Sequence, residues 1–232
     1  MTPLSHRDVT SIELMDDPDC DLDRLEHTYA QFTAVNRLVS GWRTIYLRRI
    51  KPHLTAHTDT SLLDIGFGGG DVPRALASWA AADRLRLSIT AIDPDDRARR
   101  FVEARPAMPG VTFRQASSAD LVADGSRFDL VTSNHLLHHL DADALASVLD
   151  DSRRLARRLV VHNDIERSRV AYAAYYPMTA PFSRGSFIHQ DGLLSIRRSY
   201  RRAELERVVP DGWRVERLFP YRLLLLADGT AG

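Results

Sequence analysis

Hydrophobic positions change their spacing along the chain, and that change divides it. From Asp21 to about Leu54, the residues Leu22, Leu25, Tyr29, Phe32, Val35 and Val39 recur three and four apart, the period of an amphipathic helix. Gly41 breaks this stretch into two helices, and Pro52 limits the second. Further on, short apolar runs alternate with longer amphipathic ones. Ser61 to Ile65, Leu85 to Ile92, Val111 to Arg114, Phe128 to Ser133 and Leu159 to His162 read as strands. Val72 to Ala82, Asp95 to Ala104 and Asp141 to Arg157 read as helices between them. The alternation predicts an α/β fold with a Rossmann-like, mostly parallel sheet covered on both faces. Trp213 to Phe219 and Tyr221 to Leu226, joined at Pro220, add a C-terminal antiparallel hairpin.

Three parts follow from this pattern. Residues 1–20 are polar and carry no apolar run, so they read as a disordered or loosely packed tail. Residues 21–55 form an N-terminal helical cap, and residues 56–232 form the core. Within the core, about 165–194 reads as an aromatic lid insertion containing Tyr172, Tyr175, Tyr176, Met178, Phe182, Phe187 and His189. Pro177, Pro181 and Gly185 interrupt it, which argues against a long regular helix.

Composition removes several function classes. The 232 residues carry 31 basic and 31 acidic side chains, without the basic excess that nucleic acid or anionic lipid would select. Lys51 is the single lysine, so no phosphate loop ending in Gly-Lys-Ser/Thr exists; the arginine excess reads as the codon bias of a genome rich in G and C. Cys20 is the single cysteine, which excludes an internal disulfide and a thiolate zinc site. With no signal-peptide pattern and no spanning run, a cytoplasmic protein without stable membrane insertion is expected.

The densest chemical signal is Leu62-Leu63-Asp64-Ile65-Gly66-Phe67-Gly68-Gly69-Gly70-Asp71, which leaves the first strand and enters the first core helix. Its glycines let a ligand approach the backbone closely. The dinucleotide spacing Gly-x-Gly-x-x-Gly fails in both registers, because the sixth position is Asp71 or Pro73. Asp64-x-Gly66-x-Gly68-x-Gly70 instead resembles the first motif of class I S-adenosylmethionine-dependent methyltransferases. Asp93, ending the second strand, resembles their ribose-binding acid. Phe128 to Asn134 and Leu137-His138-His139-Leu140 resemble their later core motifs. Phe32-x-x-x-Asn36-x-Leu38-x-Ser40, followed by Gly41-Trp42-Arg43, is similar to the cap segment of ubiquinone/menaquinone C-methyltransferases, with Phe32 where those have Tyr.

The resemblance implies S-adenosylmethionine as cofactor, held by Asp64, Gly66, Gly68, Gly70, Asp93 and Asn134. Ser117 and Ser118 stand where relatives often use an Asp for the adenine. It further implies methyl transfer to a small aromatic acceptor of secondary metabolism (phenolic, hydroquinone or polyketide-like), bound by Asn36, Trp42, Tyr172, Tyr176 and Phe187. A histidine base suits such chemistry, with His138 ranked first, then His162 and His189. No metal is expected, because the histidines lack the Glu of His-Glu-x-x-His. Two alternatives stay open: a divalent-metal catechol-type O-methyltransferase using Asn134, Asn163 and Asp164, and a non-catalytic cofactor-binding protein. Ser133-Asn134-His135-Leu136 replaces the Asn/Asp-Pro-Pro-aromatic motif of nucleic-acid amino-methyltransferases, so no nucleic-acid partner is expected. The sequence leaves open the acceptor atom, the pathway, and whether the chain forms a homodimer.

Overall fold

The computed structural model describes residues 4–182 and 184–230, apart from the side chain of Leu38 in the cap motif. Residues 1–3 of the expected tail lie outside the described residues. Five parallel strands form most of one sheet: β1 (Thr60–Ile65), β2 (Leu87–Asp93), β3 (Val111–Gln115), β4 (Phe128–Asn134) and β5 (Ala156–Ile165). The hairpin β6 (Trp213–Leu218) and β7 (Arg222–Asp228) joins antiparallel, giving the order β3-β2-β1-β4-β5-β7-β6. Adjacent residues on each central strand serve opposite faces. Leu62, Leu130 and Val161 pack with Leu76 and Ile50 on one side; Leu63, Val131 and Val160 pack with Ile92 and Leu121 on the other. A sheet covered twice needs such continuous apolar runs.

Helices α1 (Leu22–Val39) and α2 (Trp42–Ile45) precede the sheet, and a π-helical turn, Tyr46–Ile50, extends α2. Between strands lie α3 (Asp71–Ala82), α4 (Asp96–Glu103), α5 (Ser118–Ala123) and α6 (Ala142–Leu155). The sequence pattern misses α5, a short helix opened by a capping box between Ser117 and Asp120. It also runs α6 two residues too far. Arg157 and Arg158 are exposed at the start of β5, and two adjacent charges mask the strand period. The expected lid stretch holds no single long helix but two short ones, α7 (Arg169–Thr179) and α8 (Ile188–Arg198), parted by a 3-10 turn; α9 (Arg202–Val208) follows. Pro177 is accommodated inside α7, because the carbonyl it leaves unpaired belongs to exposed Ala173, where water can reach it.

Residues 4–20 are not a loose tail. They form a strap across α8 and the turn after β4. The Arg7 guanidinium donates to the carbonyls of Arg198 (2.6 Å) and His138 (3.0 Å) and lies 4.0 Å from the Tyr200 ring centroid. Asp191 of α8 accepts the backbone N–H groups of Leu14 and Met15, both at 2.9 Å. Glu13 is only 3% exposed. Polar bonds hold the strap, and hydropathy does not register them. Among the described residues, no helix is long and apolar enough to cross a membrane.

Leu130 lies fully buried on β4 between β1 and β5. Leu130→Ala should destabilise the protein by about 2–5 kcal/mol, read as a lower urea midpoint with an unchanged slope.

Candidate active site

At the carboxyl edge of β1 the chain turns sharply, and two glycines are required there for different reasons. Gly70 has φ +71°, and a Cβ on it would stand 2.9 Å from Val102 Cγ1 and 3.0 Å from the Phe113 ring. A Cβ on Gly69 would meet the Tyr29 carbonyl oxygen at 2.9 Å, so α1 closes directly over the turn. Gly70 thus packs inward, while Gly66 and Gly68 line a cavity of about 530 Å³.

Three acids surround this end. Asp93 accepts from the backbone N–H groups of Gly68 and Asp95, both at 2.9 Å. Asp64 accepts from Thr132 Oγ1 at 2.9 Å, and Asp71 accepts from Asn36 Nδ2 at 3.0 Å. Burial pushes the Asp64 carboxyl up to about 7; the Thr132 hydroxyl opposes this, and Asp71 and Asp93 add to it. Burial also raises Asp71 and Asp93, against the hydrogen bonds each accepts. Amides and a hydroxyl hold these carboxyl groups, so a cation bound beside them would favour their ionised forms.

The cavity's middle is apolar, lined by Phe32, Val35, Leu136, Ile165, Met178 and Ile196. Its far end is a second polar cluster. His138 is fully buried in the 3-10 turn after β4. Asp164, near the end of β5, accepts its backbone N–H at 2.9 Å and lies 2.7 Å from its Nδ1. Among the described residues its Nε2 has no hydrogen-bond partner, and it stands 3.4 Å from Glu13 Oε1 as a charge contact. Burial opposes a charge on this ring, but Asp164 and then Glu13 outweigh it and raise His138 to about 9. In return, His138 holds Asp164 well below the carboxylate range despite its burial. His139 Nδ1 lies 2.9 Å from Asp16 Oδ2, and its Nε2 lies 3.9 Å from Glu13 Oε2. Ser195 Oγ donates to Glu13 Oε1 at 2.8 Å.

Buried Arg222 organises the flank. It donates to Asn163 Oδ1 (3.0 Å), Asn134 Oδ1 (3.2 Å) and His135 Nε2 (2.7 Å). These contacts bear on the catechol-type metal alternative: an ion on Asn134, Asn163 and Asp164 would sit beside a guanidinium, and Asp164 is already committed to His138.

Of the residues singled out in the sequence, Asp64, Gly66, Gly68, Asp93, Asn134, Asn36 and His138 line the cavity. Others do not. Gly70 is part of the packing beneath the turn. Ser117 caps α5, and Ser118 donates to Asp151 at 2.7 Å on the side of α6. Trp42 is a core residue beneath the cap. Phe187 is absent from the lining; it packs behind it in the apolar cluster of Leu25, Tyr29, Phe67 and Phe101, with the Arg24 guanidinium 4.3 Å from its centroid. On α7 the cavity face is Ala171, Ala174, Tyr175 and Met178, one helical stripe; Tyr172 and Tyr176 fall outside it, and Tyr176 is 56% exposed. His189 bonds Thr179 at 2.9 Å and packs against Tyr176. His162 lies within the sheet, 2.7 Å from Ser133 Oγ and stacked on Trp213, and burial lowers it to about 4.

Sequence reasoning missed Glu13, Asp16, Tyr175, Asp191 and Arg222 as parts of the site. Helical phase across Ala171–Met178 could have found Tyr175. No local signal marks Glu13 or Asp16.

Comparisons with known proteins bear on the fold that carries this site. Residues 62–158 match the family model described as "Methyltransferase domain". The ribosomal RNA small subunit methyltransferase C of Salmonella choleraesuis strain SC-B67 is 34% identical over 125 residues, covering 53% of this chain and 34% of that protein's length. Two solved structures share the fold. An O-methyltransferase family protein from Burkholderia thailandensis matches with TM-score 0.62 and 16% identity, over 90% of this chain and 60% of that one. Human N-acetylserotonin methyltransferase, in complex with S-adenosylmethionine, matches with TM-score 0.63 and 11% identity, over 90% and 57%. Residues 62–158 thus resemble a methyltransferase domain, and the two solved structures share the fold; membership of the ubiquinone C-methyltransferase-like group does not follow from these findings.

His162 belongs to the sheet, so its loss should affect folding and spare ligand binding. His162→Ala should lower unfolding free energy by about 1–3 kcal/mol, the scale of a lost buried hydrogen bond and its orphaned partner. Affinity for S-adenosylhomocysteine, measured by calorimetry, should stay within twofold.

Proposed function

We propose that this chain transfers a methyl group from S-adenosylmethionine to a hydroxyl oxygen on a small, uncharged aromatic acceptor of the phenolic or hydroquinone type. The observation that carries the reading is that one cavity combines the acidic glycine turn, a set of apolar side chains and the histidine–carboxylate cluster in its lining. When bound, S-adenosylmethionine supplies a methyl group on a sulfonium, and transfer leaves the C–S electron pair on sulfur.

The residues present suit that cofactor. Asp93 offers a fixed carboxylate for ribose hydroxyls, already oriented by the Gly68 and Asp95 amides. Asp64 and Asp71 offer buried negative charge for a cationic group. Gly66 and Gly68 leave room beside the backbone. The apolar middle would hold a flat ring and exclude water, which favours alignment of the acceptor oxygen with the methyl carbon. As the C–O bond forms, the acceptor's proton passes to the carboxylate of Glu13, which lines the cavity beside His138 and His139. Acidic lining from Glu13, Asp16, Asp93 and Asp95 disfavours a polyphosphate acceptor such as RNA, although the curated relative named above is a ribosomal RNA methyltransferase.

A labelled-methyl screen tests the reading. Resorcinols, hydroquinones or naphthols should accept label as methyl ethers; labelling confined to RNA, or to ring carbon, would overturn it. Asp64 gives a second test. A cation beside Asp64 favours its ionised form, so binding releases a proton wherever the empty site holds the carboxyl neutral. With Asp64 near 7, affinity for S-adenosylmethionine should rise as pH goes from about 6 through 7, then level off. Asp64→Asn should flatten this slope in calorimetric titrations.

A further inference from the structure

We propose that Glu13, His138 and His139 form a binding site for a divalent transition-metal ion of the zinc type at the far end of the cavity. Each residue offers one ligand atom, and these atoms lie within 4.8 Å of one another. The Glu13–His138 and Glu13–His139 separations are 3.4 and 3.9 Å. Two ligands on a tetrahedral zinc at about 2.0–2.1 Å stand about 3.3 Å apart, so little movement separates this arrangement from coordination.

Two further observations point to a ligand. His138 Nε2 is fully buried and, among the described residues, makes no hydrogen bond; it faces Glu13 Oε1 at 3.4 Å as a charge contact without hydrogen-bond geometry. In both histidines the other nitrogen, Nδ1, lies against a carboxylate: Asp164 at 2.7 Å and Asp16 at 2.9 Å. That pairing keeps a proton on Nδ1, so an ion at Nε2 takes the place of the proton that His138 turns toward Glu13, and binding releases it. Glu13 is itself seated, because Asp191 clamps the next two amides and Ser195 holds one of its oxygens.

Two nitrogens and one carboxylate favour zinc, cobalt or a similar ion over magnesium, which prefers oxygen ligands and retained waters. The neighbouring cluster of His135, His138 and Asp164 is a poorer site, because Arg222 donates to His135 at 2.7 Å and its charge would repel a cation. His-Glu-x-x-His spacing is absent from the sequence because the carboxylate arrives on the N-terminal strap. All three ligands line the cavity, so a fourth coordination position would face an acceptor. There the ion would bind the hydroxyl and favour its oxyanion; this role rests on the proposed function, whereas the binding itself does not.

Metal-stripped full-length protein titrated with Zn²⁺ in a calorimeter should bind one equivalent. Co²⁺ should give the intense visible absorption of a tetrahedral site. Glu13→Gln and His139→Gln should each weaken Zn²⁺ binding at least tenfold, and Asp16→Asn about tenfold, while unchanged S-adenosylhomocysteine affinity shows that each variant is folded. Absence of a one-equivalent Zn²⁺ complex in the wild type, or Zn²⁺ affinity unchanged in both Glu13→Gln and His139→Gln, would overturn the proposal. Zinc binding without phenol methylation would count against the function alone, and phenol methylation without zinc binding against the metal site alone.

Discussion

Asp164 is the fixed point of the cavity's far end. One of its oxygens takes the His138 backbone N–H and the other the ring Nδ1, so a single carboxylate sets both the turn after β4 and the aim of the imidazole. The pair is fully shielded from solvent, where separating the partners would leave an uncompensated charge costing about 3–5 kcal/mol. Because the ring cannot turn away, its Nε2 has one direction to face, and the strap answers with Glu13. Arg222, pinned to Asn163, Asn134 and His135 on the flanking strands, holds the rest of that edge.

Charge is divided within the molecule in a way its zero total conceals. At the glycine turn, buried Asp64 and half-buried Asp71 and Asp93 are held by amides and a hydroxyl, with two glycines leaving the backbone open between them. At the other end, acids and histidines interlock. Both ends are prepared for positive charge, and the stretch between them is apolar. That layout suits the proposed pairing of a cationic methyl donor with a neutral ring, and its acids disfavour a phosphate-bearing cofactor or an anionic acceptor.

The sheet was legible because its signals are local. Strand runs, the Gly66–Gly70 turn and Asp93 at the end of β2 each follow from a few adjacent residues and the period of the element that carries them. The far end was legible only in part. His138 stood out by its motif, but Glu13 and Asp16 lie in a polar segment whose burial depends on hydrogen bonds to α8 and on histidines distant in sequence. Tyr172 and Tyr176 were singled out as aromatics in an interrupted stretch. Once Pro177 is accommodated in α7, helical phase moves the cavity face to Tyr175 and Met178. Ser117, Trp42 and His162 show a different limit: capping, core packing and sheet burial use the same residue types that binding sites do.

Diffraction from crystals grown with S-adenosylhomocysteine tests the assignment of the two ends most directly. The ribose should bond the Asp93 carboxylate, with the thioether sulfur pointing through the apolar middle toward His138. A ribose bound away from Asp93, or the nucleoside lodged at the Glu13–His138 end, would contradict it.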